Sequence, residues 1–239
     1  MIEKHLMKLR ARSDVSAAEE SVLRALPGQT RTVMAKATLI HAGDQLSNST
    51  LLLDGLMCRY KDLSDGQRQV TELHVAGDFV DLHSFTLKRL DHNIMALTQC
   101  TVALVPHDRL KQLTEDHPHL TRVYWFTTNL DAAIHREWEL SLGRRTALAR
   151  LAHLFCELHA RLGLVGLADD DGYDLPITQI DLAECVGMTS VHVNRTLREL
   201  RGEQVVEFRY GRVQIKDLRK LQAIADFDPG FLYLERQPR

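Results

Sequence analysis

The sequence predicts an α+β protein: a β-rich first half, a helical middle segment and a winged helix-turn-helix near the C-terminus. Three observations lead to this prediction. Short apolar runs alternate with turn residues over residues 30–107, as in an antiparallel sandwich or barrel. Residues 118–143 carry apolar side chains at helical spacing. Residues 179–215 combine the pattern of two helices joined by a tight turn with that of a β-hairpin.

Length and composition narrow the class of protein. The chain has 239 residues, of which 44% are hydrophobic and 26% charged, as is usual for a soluble globular protein. No apolar run approaches the roughly 20 residues of a membrane-spanning helix, and the N-terminal residues lack the apolar core of a secretory signal. Four widely separated cysteines argue against a disulfide framework or a compact zinc site: Cys58, Cys100, Cys156 and Cys185. We expect a cytoplasmic protein with reduced thiols and no membrane partner.

A predicted helix precedes the β-rich region, and a predicted hairpin turn lies within it. Ser13–Leu26 is predicted to be a helix, with Ser13 or Asp14 as its N-cap and Pro27-Gly28 after its end. Further on, Ser64-Asp65-Gly66 lies between two strand-like runs and is the best candidate for a hairpin turn.

Helical patterns begin at residue 107. His107–Asp116 is predicted to be a short helix, and Gly143 is a candidate hinge before a helix over Arg144–Arg161. Between them, five residues at alternating spacings of three and four form a seam typical of a helix that pairs with another helix: Leu120, Val123, Thr127, Leu130 and Ile134. Packing of this stripe on the chain's own barrel is the alternative. Gly163–Asp174 is predicted to be an acidic loop.

Residues 179–200 meet the local requirements of a helix-turn-helix. Ala183 supplies the small residue where the helices cross, and Gly187 supplies the positive φ of the turn. Val193 faces inward from the second helix, and Thr189 is placed to cap it. An ordinary antiparallel helix pair would also need a glycine and an alanine, so the next segment decides between the two.

The next segment is predicted to be a β-hairpin, which turns the helix pair into a winged helix. Residues 205–208 and 212–215 are strand-like and flank Arg209-Tyr210-Gly211. The chain carries a net charge of −2, but residues 195–220 contain eight basic and four acidic residues. A nucleic-acid-binding protein needs only one basic face. Together these features predict DNA binding.

The segment from Leu175 to Ile215 resembles the DNA-binding domain of the CRP/FNR (catabolite activator-like) regulators. The Gly77-Asp78-Phe79 turn and the Thr101–Val105 strand are similar to the family's β-roll, so the resemblance covers essentially the whole chain. It implies an N-terminal cyclic-nucleotide-binding-like β-roll (jelly roll) over residues 1–117, a dimerisation helix over 118–143 and a winged helix-turn-helix over 144–239. It also implies a homodimer that binds an inverted repeat in double-stranded DNA and that works with RNA polymerase.

The resemblance places the DNA contacts on the second helix and the wing. Arg195 matches the family arginine that contacts guanine, and Asn194 is left to read adenine or to hold a phosphate. Val191 stands where well-known members carry a glutamate, and valine offers only apolar contact, for example to a thymine methyl. The implied base readers are Ser190, Val191, Asn194 and Arg195. The implied phosphate contacts are Thr189, His192, Arg198 and Arg212.

No cofactor is predicted. Cyclic AMP is not expected, because the cyclic-nucleotide-binding members use a glutamate and an Arg-Ser pair, whereas residues 77–100 contain no Arg-Ser and Asp78 is a loose match. An iron–sulfur cluster is not expected either, because no cysteine precedes Cys58. Haem or a metal ion bound by histidines, a redox role for Cys100 or Cys156, and the absence of any effector all remain open.

Two other classes of function fit the sequence less well. One is a small-molecule or cyclic-nucleotide binding module whose helix-turn-helix has decayed; Arg195 and the basic wing argue against it. The other is an enzyme. The sequence offers no catalytic triad pattern, no phosphate-binding glycine loop and no paired carboxylates in an apolar setting. We therefore expect a regulator without catalytic activity.

Overall fold

Two helices precede the first sheet in the computed structural model, which describes residues 1–238. Helix α1 spans Glu3–Arg10 and helix α2 spans Ala17–Ala25. Ser16 caps α2 by accepting from the backbone N–H of Glu19, whose side chain accepts from Ser16 in return. The predicted helix start at Ser13 or Asp14 is therefore wrong by a few residues. Helix α1 was not predicted, because its apolar face gains its stability from packing on the β-roll.

The β-rich region forms two antiparallel sheets, as predicted. One has the order β1-β7-β3 and the other β2-β6-β4-β5. The Ser64-Asp65-Gly66 turn joins β4 to β5, and Gly66 supplies the positive φ, 83°, that the turn requires. The elements are β1 (Thr30–Val33), β2 (Thr38–Ile40), β3 (Asn48–Asp54), β4 (Leu56–Asp62), β5 (Arg68–Val75), helix α3 (Ser84–Leu87), β6 (Asn93–Ala96) and β7 (Cys100–Pro106).

A long helix leads away from the β-roll. Helix α4 (His107–Asp116) is followed by α5 (Pro118–Arg144), whose 27 residues give a length of roughly 40 Å. The break after α5 comes at Arg145, which is extended, and Thr146 then caps α6 (Ala147–Gly163). The predicted hinge at Gly143 lies inside α5, so the bend is placed by the cap and not by the glycine.

The rest of the chain forms the C-terminal domain. The predicted acidic loop contains two short strands, because Gly172–Asp174 pairs with a strand of the wing, a contact that local sequence does not indicate. The sheet has the order β10-β11-β9-β8. The elements are β8 (Ala168–Asp169), β9 (Gly172–Asp174), α7 (Gln179–Val186), α8 (Ser190–Gly202), β10 (Val206–Arg209), β11 (Arg212–Ile215), α9 (Leu218–Ala225) and a 3₁₀ helix (Pro229–Leu232).

The apolar stripe of α5 is packed within its own chain. Leu120 and Val123 are fully buried in a core shared with α1 and the β-roll, and Ile134 is buried beside Trp138 in a second core. A side chain already buried in this way offers no surface to a second chain. For these three residues the predicted seam is corrected to the intrachain alternative. Thr127 and Leu130 are half-buried, and the Thr127 hydroxyl donates to the Val123 carbonyl oxygen at 3.0 Å.

One continuous core joins the β-roll to the C-terminal domain. Cys58 and Val70 from the β-roll belong to the same buried cluster as Leu182 and Cys185 of α7. The position of the helix-turn-helix is therefore set by packing against the sensor-like domain as well as by its own fold. Among the described helices, none has the length and apolar character needed to cross a lipid bilayer.

Candidate nucleic-acid interface

The tight turn between α7 and α8 has the geometry that the sequence predicts. Thr178 caps α7 by accepting from the backbone N–H of Asp181, and the Asp181 carboxylate accepts from Thr178 in return. Gly187 ends the helix with φ 59° and ψ 44°, a left-handed conformation that glycine adopts without steric cost. The backbone N–H of Met188 then donates to the Ala183 carbonyl oxygen at 3.0 Å. The two helices are thus held in a fixed relative orientation.

Helix α8 is anchored by one face and leaves another in solvent. The Thr189 side-chain oxygen accepts from the backbone N–H of His192 at 3.2 Å, which confirms the predicted cap. Val193 and Leu200 are fully buried under the helix. Thr196, also buried, satisfies its hydroxyl by donating to the His192 carbonyl oxygen. The N-terminal half of α8 therefore projects as a rigid ridge.

The predicted DNA-contacting residues of α8 fall into two groups. Thr189, Ser190, Val191, Arg195 and Arg198 are exposed, and 79% of the Val191 surface is accessible despite its apolar side chain. His192 and Asn194 are half-buried.

Asn194 has a partner that sequence reasoning missed. Its side-chain amide Nδ2 donates to Oε1 of Gln179, the first residue of α7, at 3.1 Å. The two residues are 15 positions apart, and only the crossing of the two helices brings them together. No local signal in the sequence indicates this contact.

The two wing arginines, Arg209 and Arg212, lie in different surroundings. Arg212, predicted to contact phosphate, donates to the Asp174 carboxylate at 3.0 Å and lies 3.6 Å from the Asp169 carboxylate. Arg209, on the neighbouring strand, borders the same groove as Arg198 and Arg201 of α8. The signal for Arg201 was available in the sequence, because residues 194, 198 and 201 share one helical face.

A cavity of about 350 Å³ lies between the β-roll and α5. Arg59, in its wall, is buried and already paired: its guanidinium donates to Glu72 at 2.8 Å and to Asp131 of α5 at 2.7 Å. Burial lowers the pKa of His83, another wall residue, to about 3, so its imidazole is neutral. The cavity thus lacks a free arginine that would pair with a buried phosphate.

Asp78, the loose match to the family's acidic residue, is also engaged elsewhere. Its carboxylate binds Lys8 of α1 and accepts from Arg161 of α6 at 3.0 Å. Arg161 additionally donates to Glu157 at 2.7 Å and to the Leu73 carbonyl oxygen at 2.7 Å. This buried ion-pair network ties the N-terminal helix, the β-roll and the C-terminal domain together.

The surroundings of the cysteines and of the potential metal ligands bear on two other options, a redox role and a metal site. Burial raises the pKa of the Cys58 and Cys156 thiols to about 12, and burial also raises the pKa of Cys100. Thiols in such surroundings stay protonated and react slowly with oxidants. Within residues 1–238, no group of three or more His, Cys, Asp or Glu side chains is arranged to hold a metal ion.

Fold and site together define a class: a transcriptional regulator that binds DNA through a winged helix attached to a β-roll. Comparison with family models gives the particular family. Residues 149–224 match the Crp-like helix-turn-helix domain, and residues 30–117 match the cyclic nucleotide-binding domain. The chain belongs to the CRP/FNR family of transcriptional regulators.

Relatives and solved structures agree with this assignment. The chain is 28% identical over 208 residues to the transcriptional activator protein FnrL of Cereibacter sphaeroides, covering 84% of this chain and 82% of that protein. It is 28% identical over 180 residues to the nitrogen fixation regulation protein FixK of Bradyrhizobium diazoefficiens, covering 73% and 72%. Its fold is similar to that of FixK2 from Bradyrhizobium japonicum, with a TM-score of 0.75 at 22% identity, covering 82% and 96%.

Proposed function

We propose that this regulator binds an inverted-repeat DNA site as a homodimer and that Ser190, Val191 and Arg195 face the base edges of the major groove. The observation that carries the proposal is the exposed ridge at the start of α8, supported from beneath by Val193 and Leu200. In helix-turn-helix proteins the corresponding ridge enters the major groove. A two-fold dimer then requires half-sites about 34 Å apart.

The chemistry of the ridge predicts part of the half-site. Among residues 1–238, no ion pair engages Arg195, so its guanidinium is available to donate to O6 and N7 of a guanine. Val191 presents an apolar surface where a carboxylate would accept from cytosine. We expect each half-site to contain a guanine and to prefer a thymine methyl beside Val191.

We propose that the dimer interface lies on the exposed face of α5. Trp125, of which 67% of the surface is accessible, lies on this face. Its indole would be removed from water by a second copy packed in parallel along α5, and such burial supports this face as the interface. The face consists of six exposed residues at alternating spacings of three and four: Arg122, Trp125, Asn129, Ala132, Arg136 and Glu139.

The three parts of the chain then have separate tasks. Residues 1–117 form the sensor domain, residues 118–143 the dimerisation helix and residues 144–239 the DNA-binding domain. A relative is named a transcriptional activator, and by analogy we propose RNA polymerase as a further partner. In a purified transcription assay, a template carrying the selected site should give more transcript in the presence of the protein than a template with a scrambled site.

The first experiment is the selection of bound duplexes from a random DNA pool at fixed, near-physiological salt. We expect an inverted repeat with a guanine in each half. Recovery of single half-sites would contradict the dimer, and recovery of no common sequence would contradict the proposed readout.

The dimer face is tested separately by sedimentation. Trp125→Lys places a charge in the proposed interface and should convert a dimer into a monomer with weakened binding to the inverted repeat. The matched control is Leu87→Lys, which changes a similarly exposed apolar residue on the β-roll. If both variants remain dimeric, the interface lies elsewhere.

A further inference from the structure

A polar groove of about 320 Å³ runs between helix α8 and wing strand β10. It lies beside the ridge that carries Val191 and Arg195, on the side that faces the wing. The lining residues are Gln179, Asn194, Leu197, Arg198, Arg201, Glu207, Phe208 and Arg209.

The groove is rich in positive charge. Arg198, Arg201 and Arg209 are exposed, and Glu207 is the only carboxylate among the lining residues. Glu207 is itself held by Arg209 at 2.6 Å and by Lys216 at 3.6 Å. In the part of the chain that the structure describes, no ion pair engages Arg198 or Arg201.

This arrangement suits a phosphodiester. Guanidinium groups bind phosphate oxygens through two parallel hydrogen bonds, and an exposed arginine without a partner loses no existing ion pair when it does so. A groove open to solvent also admits a continuous backbone, whereas a closed pocket would admit only a free anion.

The Asn194–Gln179 hydrogen bond belongs to the same groove. It fixes the Asn194 amide toward α7, on the face of α8 that also carries Arg198 and Arg201. The pair still has free amide N–H groups that can donate to a phosphate oxygen.

We propose that this groove binds a phosphate of the DNA backbone and that Asn194, held by Gln179, contacts that phosphate and reads no base. Gln179 is then a positioning residue, and Arg201 and Arg209 are phosphate contacts; Arg209 holds Glu207 through Nε and contacts the phosphate through its terminal nitrogens. The inference rests on the proposed function in so far as DNA is the ligand. The inference goes beyond the proposed function because it concerns contacts that do not depend on the base sequence.

The groove is tested by the salt dependence of binding to a duplex without the selected site. Backbone contacts dominate non-specific binding, and each lost contact lowers the magnitude of the slope of log K against log salt by about one. Arg201→Gln and Arg209→Gln should each lower it by about one per protomer on specific and non-specific duplexes alike. The control Arg31→Gln, an exposed arginine on strand β1, should leave the slope unchanged. Unchanged slopes for both groove variants would overturn the proposal.

The role of Asn194 is tested by repeating the duplex selection with Asn194→Ala. The preferred bases should match those of the unaltered protein, while affinity falls uniformly across sequences. A changed preference at any base would overturn the assignment. Gln179→Ala and the double variant Asn194→Ala/Gln179→Ala complete a double-mutant cycle. Because each single change removes the same Asn194–Gln179 contact, the double variant should lose less affinity than the product of the two single losses. Independent losses would contradict the positioning role.

The two proposals fail in different ways. If the protein binds DNA with no base preference, the proposed readout by Arg195 is wrong, yet the slopes on the non-specific duplex still decide whether the groove holds a phosphate. If selection succeeds and the slopes do not change, the readout stands and the groove proposal is wrong.

Discussion

The arginines of this chain lie in two opposite environments. Arg59 and Arg161 are almost fully buried, and each donates to two carboxylates and to a backbone carbonyl oxygen. Arg195 and Arg198, on the recognition helix, are exposed and lack ion pairs among the described residues. A buried charge must be paired within the fold, whereas an exposed one can keep its hydrogen bonds for a ligand. Buried arginines therefore fix the arrangement of the domains, whereas the exposed arginines of α8 keep their hydrogen bonds for the DNA that we propose as their ligand.

The largest effect should come from breaking a buried pair. Arg161→Met removes the cation that pairs with Glu157 and one of the two cations that pair with Asp78, and it should lower the free energy of unfolding by about 3–5 kcal/mol. Urea denaturation measures the change. The matched control is Arg201→Met, at an exposed position, where a change below about 0.5 kcal/mol is expected. Equal losses of stability for Arg161→Met and Arg201→Met would show that the buried arginine contributes no more to the fold than the exposed one.

A buried carboxyl offers a second test through pH. Asp81 is fully buried, and burial raises its pKa to about 7. Between about pH 4 and pH 7 the folded state therefore holds a proton that the unfolded state has released, so this group's contribution to stability falls as pH rises.

Asp81→Asn removes that titration. The variant should gain stability relative to the unaltered protein as pH rises from about 4 to 7, by on the order of 2–4 kcal/mol in total, with no further gain above that range. Urea denaturation at a series of pH values measures the difference. A difference that is constant with pH would show that Asp81 does not titrate there.

On the exposed side, Arg195→Ala should change DNA binding and leave folding intact. The cost at the selected site should be about 1–3 kcal/mol, with relaxed preference at one guanine. Non-specific binding should change much less. Titration of labelled duplexes at fixed salt distinguishes the two. Unchanged binding at the selected site would mean that the register assigned to α8 is wrong.

A smaller and more specific effect is expected at the apolar position of the ridge. Val191→Glu introduces a carboxylate that accepts from cytosine N4. Selection with this variant should shift the preferred base next to the guanine toward cytosine, with a discrimination of about 1 kcal/mol. The isosteric change Val191→Thr is the control, because it adds a hydroxyl and no charge. An unaltered consensus with glutamate would show that residue 191 does not face a base.

Sequence patterns predicted those features that depend on neighbouring residues. Gly187 and Thr189 were recognisable because a tight turn and a helix cap make local demands. The burial of Leu120 and Val123 within their own chain could not be decided from the sequence. Apolar residues that face a second helix and apolar residues that face the chain's own core recur at the same helical spacing.

The contacts that were missed join residues far apart in the sequence. Asn194 meets Gln179 only through the helix crossing. Arg212 is paired with Asp174 because β9 joins the wing sheet. The same long-range pairing explains why the strands within the predicted acidic loop were missed. The helix-turn-helix and its exposed α8 residues were thus predictable in outline, while the polar partners of those residues required the tertiary structure.

The contact between Arg12 and the C-terminal 3₁₀ helix has a consequence for synthesis. Arg12 donates through Nε to the Leu232 carbonyl oxygen at 3.1 Å, and its own carbonyl oxygen accepts from the backbone N–H of Gln237 at 3.1 Å. These partners leave the ribosome more than 200 residues after Arg12. The segment after α1 therefore completes these contacts only after residue 237 has been synthesised, long after the β-roll has emerged.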